Sequence, residues 1–307
     1  MQALIKDQGV VRLEQRPLPQ LTNPFDVRVQ VALAGLCRTD IAVARGELPS
    51  LDPLVLGHEF CGLILEVGEQ VRQLRPGMRV GANPMIACGC CLACTQQGPA
   101  LCTRSLFLGL SRDGAFAEQV VVPAQNLYPL PDTVDDRRGA YLEPLAAAMA
   151  VLHTPIQKHQ RGIIYGSGRI AGLTQQVLQH FGFEHITLID ENSAPLEAHS
   201  YHFAIETQAS SEVITRLVEA LQPRGLLILK SRQPRPLQIS PLALVEKEIC
   251  MQAVHYGSFE AALDLLALNA LNLHKILGRT YALSEYEAVF AGAHNEQTKI
   301  FFDPARG

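Results

Sequence analysis

Residues 162–190 read GIIYGSGRIAGLTQQVLQHFGFEHITLID. A short β-branched run, Gly162–Tyr165, meets a glycine-rich turn. Helix formers follow, and then a second strand-like run ends at Asp190. Strand, turn, helix and strand in that order make one βαβ unit and predict a parallel sheet. In that setting Gly166 permits the tight turn, and Gly168 lets the backbone approach a pyrophosphate at the helix N-terminus. Ser167, Arg169 and Ile170 complete the turn, and Ala171 stands where a third glycine is common, with Gly172 just behind it. Asp190 is placed to accept hydrogen bonds from ribose hydroxyls and to repel a 2′-phosphate, which favours NAD over NADP. Glu191 follows it directly, and Arg169 is a further candidate contact for the pyrophosphate.

Downstream of this unit the chain is unusually brief. Only eleven residues, ENSAPLEAHSY, separate Asp190 from the strand-like HFAIET. A full crossing through helix, strand and helix needs roughly thirty or more. The third strand of the order 3-2-1-4-5-6 is an edge strand, so its loss leaves about five strands and a newly exposed second strand. The stretch SAPLEAHSY, with its proline and polar residues, suits the job of covering that edge. GLLILK and EICMQAV read as further strands, SFEAALDLLALNALNL as a helix and KIFFD as a last strand. Upstream, residues 1 to about 130 read as short strands broken by glycine, proline and polar turns, which predicts a β-rich domain. From Glu143 the run EPLAAAMAVLHTP has no breaker between Pro144 and Pro155 and reads as a linking helix.

Five of the eight cysteines lie between Cys88 and Cys102. Cys88, Cys91, Cys94 and Cys102 have the spacing C-x2-C-x2-C-x7-C, which suits a structural zinc with no open position; Cys90 is then a spare thiol. Cys61 and Cys250 sit in apolar runs and read as core. A second set, Cys37 in GLCRTD, His58 and Glu59 in GHEFCGLILEVGEQV, and Glu143 in EPL, mixes sulfur, imidazole and carboxylate. Such a mixture makes a zinc site that keeps a position open for chemistry.

Length, at 307 residues, allows about two domains. A net charge of −4 and a pI near 6.2 give no reason to expect nucleic acid or an anionic membrane. The N-terminus lacks the apolar core of a signal peptide, and no apolar run is long enough to span a bilayer. A cytoplasmic setting is the expectation, and there clustered cysteines hold metal more often than they form disulfides.

Together these motifs resemble the zinc-dependent medium-chain alcohol dehydrogenases, especially the polyol and threonine dehydrogenase branch. GHE with its spaced Gly57, Gly62, Gly68 and Val71, CRTD, and the four-cysteine loop all match, in the same order. The resemblance implies an α/β chain. A GroES-like β-rich catalytic domain would span 1–144 and 259–307, around a shortened Rossmann domain at 145–258. It implies two zinc ions, one catalytic and one structural, NAD(H), and hydride transfer to or from a secondary alcohol or polyol, or the matching ketone.

Cys37 and His58 are then ligands of the catalytic zinc, with Glu59 and Glu143 competing for the remaining protein position. Asp40 would orient the His58 ring, and Thr39 would take the proton of the alcohol. Arg38 and Lys299 fall where relatives place cations near the cofactor phosphates. Relatives form dimers or tetramers, often through the last strand of the nucleotide domain, so EICMQAV points to a homo-oligomer. One residue departs from the pattern: Ala42 stands near the position where many relatives carry a proton-relaying histidine. That departure and the shortened domain leave a non-redox zinc scaffold or regulatory protein as the alternative. A bulky or carrier-linked substrate is a third reading.

Overall fold

The computed structural model describes residues 1–232, 235–292 and 298–306. The chain divides into two compact units, Met1–Glu143 with His274–Gly307, and Pro144–Leu273. The return to the first unit thus comes at 274 rather than at the expected 259. The helix Phe259–Ala267 belongs to the second unit and ends sooner than its apolar run suggested, with Asn269 in a left-handed conformation (φ 51°) just past its C-cap, Leu268.

The first unit is built on a largely antiparallel sheet. Its longest strand, Asp26–Gly35, pairs with Glu59–Val67 on one side. On the other side it pairs with Gln119–Pro123 along its first half and with Lys299–Asp303 at its far end. Alternating inward residues such as Val27, Val29 and Val31 meet Phe60, Phe116 and Phe302 in one core. Gly62 is where this pairing is tightest. A Cβ there would lie 2.1 Å from the carbonyl oxygen of Gln30, so no larger residue fits without shifting the sheet. At the start of the same strand Glu59 pairs with Gly35, which sets His58 and Glu59 beside the segment that carries Cys37.

The second unit holds a five-stranded, wholly parallel sheet. Its strands are β1 (Gly162–Tyr165), β2 (Ile186–Ile189), β3 (Tyr201–Glu206), β4 (Leu221–Leu229) and β5 (Cys250–Ala253), in the order β2-β1-β3-β4-β5. Helix α1 (Arg169–His180) follows β1, and α2 (Ser211–Ala220) follows β3. All four residues of β1 are buried, as expected of a strand covered on both faces. Ile164, Phe203, Ile205 and Ile228 pack with α1 residues Ala171 and Leu178 on one face. Ile163, Tyr165 and Ala204 pack with α2 residues Val213, Ile214 and Leu217 on the other.

No further strand lies beyond β2 among the described residues, as the shortened crossing predicts. The connecting segment, however, does not cover the β2 edge. β2 and β3 both pair with β1 from opposite sides and run parallel, so the link must pass over β1. The eleven residues 190–200 reach roughly 36–40 Å at full extension, enough for that return. Leu196 accordingly packs into the cluster with Tyr165 and α2, whereas Thr187 and Leu188 on β2 stay exposed.

Candidate active site

Cys37 precedes the helix Arg38–Ala44 as its N-cap, and Asp40 lies in that helix's first turn. The Asp40 carboxylate, fully buried, accepts hydrogen bonds from the backbone N–H groups of Cys37 (2.8 Å) and Gly57 (3.2 Å). It also lies 3.0 Å from His58 Nδ1. Because Asp40 accepts the proton at Nδ1, the Nε2 lone pair points the other way. His58 is 1% exposed, and its Nε2 is a buried polar atom with no hydrogen-bond partner in the protein. The ligand atoms of Cys37, His58 and Glu59 all lie within 4.8 Å of one another. A buried lone pair beside a thiol and a carboxylate fits a divalent, borderline-soft ion such as zinc.

In the metal-free site these groups shift one another. Burial works against protonating His58. The charge and hydrogen bond of Asp40, joined by Cys37, outweigh it and hold the imidazole well above its usual pKa. For Glu59, burial is the largest influence and raises the carboxyl. The Lys299 charge lowers it, and the nearby Glu143 charge raises it again. A cation at this point would relieve the crowding of negative groups.

The two competing carboxylates are placed differently. Glu59 belongs to the cluster, while Glu143, buried in the first turn of the helix Leu142–Met149, lies outside the set of mutually close ligand atoms. Thr39 is buried in the first turn of the Arg38–Ala44 helix, and Ala42 lies one turn on. Arg38 is exposed. Lys299 overturns its expected role. Its ammonium is buried, ion-paired with Glu59 Oε2, and donates to the Leu36 carbonyl at 2.9 Å, so in this structure it cannot serve a cofactor phosphate. No motif announces this pair, because its members are 240 residues apart.

The four-cysteine loop has a geometry of its own. Sγ atoms of Cys91 and Cys94 lie 3.4 Å apart, those of Cys91 and Cys102 3.9 Å, and those of Cys88 and Cys94 4.0 Å. Disulfide sulfurs sit at about 2.05 Å, whereas four thiolates around a tetrahedral zinc sit roughly 3.8 Å apart, given Zn–S bonds of about 2.3 Å. All eight cysteines are free thiols. Backbone N–H groups donate to these sulfurs, from Cys94 to Cys91 (3.4 Å) and from Cys88 and Arg104 to Cys102 (3.3 and 3.4 Å). Such donors, led by that of Cys94, pull the Cys91 thiol down to about 5. A backbone hydrogen bond from Cys90 brings Cys88 to about 7. Burial followed by its neighbouring thiols pushes Cys94 up to about 12. Cys90 is exposed, stands outside the quartet and meets the Arg104 guanidinium at 3.2 Å. Cys61 is buried as expected, but Cys250 is exposed.

In the second unit Gly166 adopts φ 143°, and a Cβ there would lie 2.2 Å from Thr207 Oγ1, so this turn requires glycine. Gly168 is the N-cap of α1 and offers no side chain. A helix N-terminus without a side-chain cap suits an anion. Ala171 is fully buried against the sheet. Asp190, half-buried at the end of β2, accepts from the Asn192 N–H (3.0 Å) and the Ser193 hydroxyl (2.9 Å) through Oδ1. Two residues that no motif marks join this edge. Glu206 at the end of β3 accepts from the N–H groups of Lys230 (2.9 Å) and Ser231 (3.0 Å). Arg216 on α2 donates to three carbonyls of the Asp190 turn.

Comparison with known proteins places these features in a lineage. Residues 23–132 match the alcohol dehydrogenase GroES-like domain. Sorbitol dehydrogenase of Halalkalibacterium halodurans is 29% identical, with 99% of each chain covered. That alignment runs over 343 positions against a chain of 307 residues, so at least 36 positions are filled only in the relative. Galactitol 1-phosphate 5-dehydrogenase of Escherichia coli K12 is 33% identical over 215 residues, 69% of this chain and 62% of that one. The fold matches a Sinorhizobium meliloti 1021 protein described as a zinc-binding dehydrogenase and solved with NADP. Its TM-score is 0.89 at 26% identity, with 99% of both chains covered.

Proposed function

The chain belongs to the zinc-dependent medium-chain alcohol dehydrogenases, and we propose that it oxidises a secondary alcohol or polyol, or reduces the matching ketone, with NAD(H). The observation that carries this reading is the orphaned His58 Nε2, buried beside Cys37 and Glu59 with Asp40 behind it. Cys37, His58 and Glu59 would hold the catalytic zinc, with Glu143 near enough in charge to replace Glu59 during turnover. Cys88, Cys91, Cys94 and Cys102 would hold a structural zinc.

A zinc ion at Cys37 and His58 supplies Lewis acidity that lowers the pKa of an alcohol. A bound nicotinamide dinucleotide supplies the hydride acceptor. The protein's own residues do the rest. Asp40 keeps the His58 proton on Nδ1, so Nε2 remains a ligand. Thr39 receives the proton of the alcohol, since a hydroxyl both accepts and donates. Ala42 cannot carry that proton further, which makes its escape to solvent slower than a histidine relay would. The N–H groups after Gly168 meet the pyrophosphate, Asp190 meets the ribose, and Arg38 and Arg169 are the candidate cations for the phosphates. Asp190 supports NAD over NADP. The exposed residues of β5 support pairing of this strand with a second copy, and free thiols suit a cytoplasmic setting.

The Cys37→Ser variant tests the reading. It is expected to lose the catalytic zinc and turnover while keeping the zinc of the four-cysteine loop and a native circular dichroism spectrum. Full activity in that variant would refute the site. One observation favours the non-redox scaffold instead, namely the strand missing beyond β2. Parallel titrations with NADH and NADPH, followed by nicotinamide fluorescence in a protein with no tryptophan, separate the two readings. Saturable NADH binding supports the dehydrogenase, and zinc-replete protein that binds neither nucleotide supports the scaffold.

A further inference from the structure

Removing the crossing between β2 and β3 removes the chain that would otherwise hold the turn after β2 in place. That turn carries Asp190. Among the described residues, a side chain on α2 helps to hold it. Arg216, half-buried on α2, donates through Nη1 to the Asp190 carbonyl (3.2 Å), and through Nη2 to the carbonyls of Ser193 (3.1 Å) and Ala194 (2.8 Å). Carbonyls that leave the sheet ladder need donors, and a planar guanidinium with several N–H groups can serve three of them at once where an ammonium is less suited. Inside the turn, Asp190 Oδ1 is tied by Asn192 N–H and the Ser193 hydroxyl, and the Asp190 N–H donates to Ser193 Oγ (2.9 Å). The backbone clamp and the carboxylate orientation are thus one connected unit. Leu196, just beyond, is packed against the same face as α2.

We propose that Arg216 is the positioning residue that holds the Asp190 carboxylate at the ribose of the dinucleotide, in place of the missing strand and helices. This rests on the reading of residues 162–190 as a dinucleotide site. The position suits it: the phenol of Tyr165, the residue before the glycine turn, is raised by burial first. It also feels Glu191 and Asp190 raising it and Arg216 lowering it, so these charges lie near the carboxyl end of β1. Oδ1 being committed to the turn, Oδ2 is the oxygen that meets a ribose hydroxyl.

The test is a double-mutant cycle on NADH affinity with Arg216→Ala, Asp190→Ala and the double variant, using the full chain with its zinc. If Arg216 acts through Asp190, each single variant weakens NADH binding about tenfold and the double variant weakens it little further. Arg216→Lys, which keeps the charge and part of the donor set, restores a portion of the affinity. It also serves as the folded comparison should Arg216→Ala be unstable. A general structural role predicts losses that add, and additive losses, or wild-type affinity in Arg216→Ala, would overturn the proposal. Failure of the wild-type chain to bind NADH would instead overturn the dinucleotide reading itself, and the proposal with it.

Discussion

Lys299 and Glu59 show what a single contact decides in this protein. Both side chains are almost fully buried, and each is the other's counter-charge. A cation placed so deep is costly unless paired, and cutting one partner leaves the other charged and dry. Lys299→Met is therefore expected to destabilise the metal-free protein by about 3–5 kcal/mol, measured by urea unfolding. A loss below about 1 kcal/mol would show that Glu59 takes up a proton or another partner at little cost. His58 stands in contrast, since its role is visible from local sequence. CRTD carries Cys37 and Asp40 on one helical turn, and GHE brings His58, eighteen residues beyond Asp40, to its carboxylate. Lys299 lies in KIFFD, which reads as an ordinary strand, and nothing local says that its first side chain turns inward.

At the scale of elements, the cysteine loop is the most self-contained piece of the molecule. Its quartet spans fifteen residues, Cys88 to Cys102, so spacing alone brings the sulfurs together and the loop was legible in the sequence. In the metal-free chain its pH dependence has a definite sign. Cys91 is lowered from an ordinary 9.0 to about 5, and Cys88 to about 7, so both favour the folded state as thiolates. That contribution is complete above pH 9 and fades as pH falls toward about 5. Cys94, raised to about 12, changes only above pH 9 and does not oppose it in this window. Metal-free protein should thus show a lower Tm at pH 5.5 than at pH 8.5, by differential scanning fluorimetry, and a Cys91→Ser variant should lose much of that difference. An equal slope in the variant would sink the assignment. The helix Phe259–Ala267 was less legible. Its apolar run continues to Leu273, but the turn through Asn269 ends it first, and that choice belongs to packing rather than to propensity.

For the whole molecule, the division into a β-rich unit and a parallel-sheet unit was readable from the change of hydrophobic period near Glu143. The lost strand was readable too, as a count: the eleven residues between β2 and β3 cannot contain a helix, a strand and a second helix. The route of those eleven residues was not. Expecting them at the sheet edge ignored that β2 and β3 flank β1, a fact of strand order and not of composition. The same blindness hid Arg216, which sits on an amphipathic helix whose pattern reports only the buried face.

By itself, then, the sequence determined whatever short spacing can enforce: the cysteine quartet, the Cys37–Asp40 turn, the glycine turn at Gly166 and the five-strand count. These features are set within short stretches of chain, where covalent geometry leaves little choice. Only the tertiary structure decided which carboxylate joins the Cys37–His58 cluster, where Lys299 spends its charge, how residues 191–200 cross β1 and which cation pins Asp190. Each of these joins segments that the chain separates widely or leaves free to route differently, and packing of the folded core is what selects among them.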